Sequence, residues 1–122
     1  MQTENLAQLF HELDLRTDDA FKAQLRALPE RDLWQMHLGC NSLIRTLAFY
    51  SNESVAGRDY FARLGEPDDA SSVLGEWYWR YLNGVRPDLA AMRACITRHC
   101  WFLLDEEAEE IARCMLQDYP AD

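Results

Sequence analysis

The stretch from Glu30 to Ser51, ERDLWQMHLGCNSLIRTLAFYS, carries Leu33, Met36, Cys40, Leu43, Leu47 and Tyr50 at steps of 3, 4, 3, 4 and 3 residues. Such spacing puts all six side chains on one stripe, the mark of a bundle seam, and predicts a helix over residues 30–51 with Pro29 in its first turn. Trp34, Leu38 and Phe49 fall on the opposite side, so this helix either lies between two layers or presents a second apolar patch.

The same period recurs on both sides. Thr3 is placed to cap a helix to Leu13, and Thr17 a second with Phe21, Leu25 and Leu28 inward. A shorter helix over residues 54–64 stops at Gly65 and Pro67, followed by the polar linker Glu66-Pro67-Asp68-Asp69. Residues 70–83 read as an aromatic helix ended by Gly84. Asp88 can cap the next, whose Leu89, Met92, Ile96, His99 and Leu103 again step by 3 and 4. Asp105 is placed to start a last helix with Ala108, Ile111, Met115 and Tyr119 inward. No strand-like alternation persists, so the expected architecture is all-α, a single-domain bundle of about six helices over residues 1–122.

Composition agrees with that class. The chain has 122 residues, 48% hydrophobic, long enough to bury one core without disulfides or metals. Twelve basic against 21 acidic residues leave a net charge of −9, the wrong sign for a phosphate backbone or an anionic membrane, so no direct nucleic-acid or membrane binding is expected and a partner with a basic surface is easier to imagine. No apolar run approaches a membrane span, and the first thirty residues carry acids rather than the basic start of a secretory signal. Cys40, Cys95, Cys100 and Cys114 therefore read as reduced thiols of a cytoplasmic protein.

Function is less legible. In Glu76-Trp77-Tyr78-Trp79-Arg80-Tyr81 the helical projection gathers Ser72, Glu76, Arg80 and Asn83 on a narrow polar arc, with Glu76 and Arg80 at ion-pair spacing. Trp79 lies at the margin of that arc, and Trp101, between Thr97 and Arg98 in projection, points away from the apolar stripe of its helix. Trp, Tyr and Arg dominate binding hot spots, which makes Trp79, Trp101, Arg98 and Arg80 candidate partner-binding residues or a homodimer seam. Glu106 and Glu110, in the acidic run Asp105 to Glu110, join them as an acidic recognition surface, although first-turn carboxylates also serve a helix dipole.

Other chemistry finds thinner support. His37 with Cys40 and Cys95 with His99 are spaced for zinc on two facing helices, but Cys40 and His99 are central to apolar stripes, so neither a metal nor another cofactor is expected. Arg93 and His99 fit a loose Arg-x5-His pattern, and over those two residues an all-helical domain of this size resembles HEPN-type ribonucleases, a spacing that arises about once by chance here. His37 lacks the surroundings of a phosphotransfer histidine, and no convergent catalytic set is present. The expectation is a non-enzymatic protein-binding regulator: an inhibitor, anti-activator or adaptor, as a homodimer or hetero-complex. The alternatives are a nucleic-acid-mimicking anti-defence protein of a phage or mobile element, and a HEPN-like or metal-dependent helical enzyme.

Overall fold

A computed structural model describes residues 2–120. Within them the chain is all-helical: α1 (Leu6–Arg16), α2 (Asp19–Ala27), a 3₁₀ segment (Glu30–Met36), α3 (Cys40–Arg45) running into a π turn (Thr46–Tyr50), α4 (Val55–Ala62), α5 (Pro67–Leu82), α6 (Leu89–His99) and α7 (Asp105–Gln117). No described helix is long and apolar enough to cross a membrane.

The helix starts follow capping chemistry. Asn5, Asp18, Ser54 and Asp88 each accept a hydrogen bond from the backbone N–H three residues on, at 2.8–2.9 Å. The caps expected at Thr3 and Thr17 are thus taken by Asn5 and Asp18. Thr3 is instead buried, its N–H and C=O tied to the side chain of Asn52 at 3.0 and 2.8 Å, and Thr17 ends α1 with its hydroxyl on the Leu13 carbonyl. Of the expected linker at 66–69, Glu66 is the extended N-cap and residues 67–69 are helical, because Pro67 supplies the first-turn φ and Asp68 and Asp69 favour the helix N-terminus.

The predicted continuous helix over residues 30–51 is broken. A 3₁₀ segment and a turn at 37–39 precede α3, where Gly39 takes φ −103° and ψ −102°, outside the helical well. Met36, Cys40 and Leu47 are buried as the seam requires, Leu33 and Leu43 are half-buried, and Tyr50 is exposed. Trp34 and Leu38 stand in solvent and Phe49 packs against the core.

Helix α5 is the central element. Eight of its residues are buried, including the run from Val73 to Tyr78, which no amphipathic surface helix would show. Its neighbours are α2, the 3₁₀ segment, α3, α4 and α6, with α7 packed on α6. Gly75 sets the closest approach to α3, since a Cβ there would lie 2.0 Å from Asn41 Oδ1. Trp77 and Tyr78 fill the centre, and the Tyr78 and Tyr81 hydroxyls donate to the two carboxylate oxygens of Asp14 on α1 at 2.8 and 2.9 Å. On the polar arc Glu76 is buried, Ser72 and Arg80 are partly covered, and Asn83 is exposed.

Candidate functional site

Helix α6 ends at His99, four residues earlier than its apolar period suggests. The Cys100 N–H still reaches the Ile96 carbonyl at 2.7 Å, its buried thiol contacts the Leu64 carbonyl, and the Leu103 N–H returns to the Cys100 carbonyl at 3.1 Å. Cys100 and the half-buried Leu103 anchor this turn and push the residues between them outward. Trp101 is 83% exposed, Leu104 65% and Phe102 43%. The Trp101 and Phe102 rings meet edge to face at 6.1 Å, and Phe102 lies over Gly65, whose φ of +99° and missing side chain make the contact possible. An open groove of about 560 Å³ runs beside them, with Glu66 and Asp69 among its walls. The acids of α7 follow Leu104 directly, so an apolar turn is bordered by carboxylates.

Of the residues proposed from sequence, Trp101, Arg98, Glu106 and Glu110 are exposed. Trp79 is only partly exposed: it packs against the core, and its indole N–H donates to the Leu28 carbonyl at the end of α2, 3.0 Å away. A projection of one helix cannot see this cover from another. Arg80 is largely covered as well, 3.5 Å from Glu30 and 3.8 Å from Glu76. Arg98 is half-exposed and engaged, its Nη2 donating to both oxygens of Glu76 at 2.6 and 2.7 Å. In the acidic run, Glu107 accepts the Leu104 N–H at 3.0 Å, and Glu109 lies 3.9 Å from Arg93 and 3.8 Å from Arg113. Trp101 is thus the one proposed aromatic that stands outside, with Leu104 and Phe102 beside it.

What the sequence reading missed is the burial of Glu76 among partners from α6. Glu76 is 6% exposed, at the base of a cleft of about 630 Å³ whose walls include Trp34, His37, Asn41, Arg98 and His99. Burial alone would raise its pKa, but hydrogen bonds from His99 and Cys95 and the charge of Arg98 outweigh it and hold the carboxyl at about 2. Cys95, His99 and Glu76 bring one ligand-type atom each to within 4.8 Å of one another. Among the described residues the α6 pair Cys95 and His99 is joined by Glu76 of α5, not by His37 and Cys40, the pair whose spacing was compatible with a zinc site. Arg93 and His99 turn to different neighbours, Glu109 and Glu76. A partial signal lay in Gly75, the small neighbour of Glu76, which lets Asn41 of α3 come close to α5.

The four cysteines carry free thiols. Burial pushes Cys40 up to about 12, and burial with the nearby Asp69 does the same for Cys100, so both are protonated near neutral pH.

The class these features define is an all-α chain with an exposed apolar turn and a buried, cation-compensated carboxylate. No protein-family model, curated protein or solved structure matches the chain.

Proposed function

We propose that this protein binds another protein and acts by that contact, as an inhibitor, anti-activator or adaptor of the cytoplasm, and that it is not an enzyme. The observation that carries the reading is the turn at 101–104, which holds Trp101 and Leu104 in solvent while Cys100 and Leu103 fix its base. An exposed Leu at the start of α7 neither caps the helix nor fills the core, so the fold gains little from it. A buried Trp anchor is the commonest kind of hot spot, and truncating one costs about 2 kcal/mol or more, roughly 30-fold in affinity. The carboxylates around the turn, and the net charge of −9, favour a partner whose apolar cleft has a basic rim. Glu106 and Glu110 belong to that acidic border.

Affinity capture from source-cell extract with the wild-type chain and a folded Trp101→Ser, Leu104→Ser variant tests the reading. A partner held by the first and lost by the second supports it, and a partner held equally by both removes the turn from the interface.

Homodimerisation is supported by a second patch, Trp34 and Leu38, which are 73% and 85% exposed. Light scattering should then show a mass that rises toward twice 14.2 kDa with concentration, and a monomer throughout would exclude it.

A further inference from the structure

We propose that Glu76, Cys95 and His99 form a binding site for one divalent transition-metal ion of the zinc type, with a coordination position left open to the cleft. Cys95 and His99 are separated by one helical turn on α6 and so project to the same side, where Glu76 of α5 meets them. Their ligand-type atoms lie within 4.8 Å of one another, and His99 Nε2 is 3.8 Å from Glu76 Oε1. A tetrahedral zinc with bonds of about 2.0–2.3 Å spaces its ligands roughly 3.3–3.8 Å apart, so side-chain adjustments of about 1 Å close the set.

The donor chemistry selects the ion. A thiolate with an imidazole and a carboxylate suits zinc or cobalt and is a poor match to magnesium or calcium. Binding displaces the Cys95 proton to solvent, and the thiolate and carboxylate then balance the two positive charges of the ion. Cys95 and Glu76 are held by burial, while His99 stands half-buried at the cleft, which is the route of entry.

Arg98 is the competitor. It supplies positive charge to Glu76 in the metal-free chain, and its half-exposed side chain can swing into solvent and free the carboxylate when an ion arrives. Removing that charge should therefore tighten metal binding, the reverse of what a purely structural ion pair would do.

The test titrates the metal-free full chain with Co2+ by absorption, followed by displacement with Zn2+. One equivalent should bind, with a thiolate-to-cobalt charge-transfer band in the near ultraviolet. Cys95→Ser should abolish the band, and Glu76→Gln and His99→Gln should each weaken binding by at least about tenfold. His37→Ala and Cys114→Ser should leave it unchanged, and Arg98→Gln should strengthen it. Circular dichroism checks each fold. If Cys95→Ser does not fold, His99→Gln decides, since its residue is half-buried at the end of α6. No band with the folded wild type, a band that survives Cys95→Ser, a band lost with Cys114→Ser, or unchanged affinity in His99→Gln would each overturn the proposal.

Discussion

Arg98 Nη2 donates to both carboxylate oxygens of Glu76, at 2.6 and 2.7 Å, and so joins the last turn of α6 to the middle of the buried helix α5. Together with hydrogen bonds from His99 and Cys95, the contact holds the carboxylate ionised in a place where burial alone would raise its pKa.

A pH dependence follows for the metal-free chain. The folded pKa of Glu76, about 2, lies below its ordinary 4.5. Its contribution is therefore fully present above pH 4.5 and is lost as the pH falls from there toward 2. Glu76→Gln should lower stability at pH 7 by on the order of 2–3 kcal/mol and flatten the acid limb of a urea-midpoint profile. An unchanged limb would show that Glu76 is not held as described.

Trp79 serves the fold. Trp79→Phe removes the indole donor from the Leu28 carbonyl and should cost about 1 kcal/mol in denaturant unfolding while leaving partner capture intact. Loss of capture in a folded Trp79→Phe chain would return that residue to the interface.

Leu104 occupies a position where serine is a better residue. With Glu107 three residues on and already accepting the Leu104 N–H, Leu104→Ser completes a capping box and should raise stability by about 1 kcal/mol. Thermal unfolding of the single variant measures this, and a lower midpoint would mean that the leucine packs in the fold.

Gly75 and Asn41 should be coupled. Gly75→Ala places a Cβ against Asn41 Oδ1 and should cost about 1–3 kcal/mol. Asn41→Ala removes both the clash and a buried acceptor with no partner, so the double variant should recover part of the loss. Additive losses in urea titrations would contradict the packing of α3 on α5.

The all-α class was legible because period and punctuation agree: Leu6, Phe10 and Leu13 on α1 and Ala108 and Met115 on α7 are buried as their spacing requires. The break at 37–39 was not, because a stripe through Leu33, Met36 and Cys40 counts the same whether or not the backbone at Gly39 stays helical. The burial of Glu76 and the cover over Trp79 were not legible for one reason. Their partners come from α6 and α2, and a projection of α5 contains neither. Trp101 was recognised as outward-facing, although a turn rather than a helix holds it out.

The central claim is that the turn at 101–104 is where this protein meets its partner. The most direct measurement compares wild type, Trp79→Phe and Trp101→Ser, Leu104→Ser as baits in the same source-cell extract, with bound proteins identified by mass spectrometry. A partner with a basic surface should be held by the first two and lost by the third. A partner retained by the folded third bait as well as by the wild type would contradict the claim.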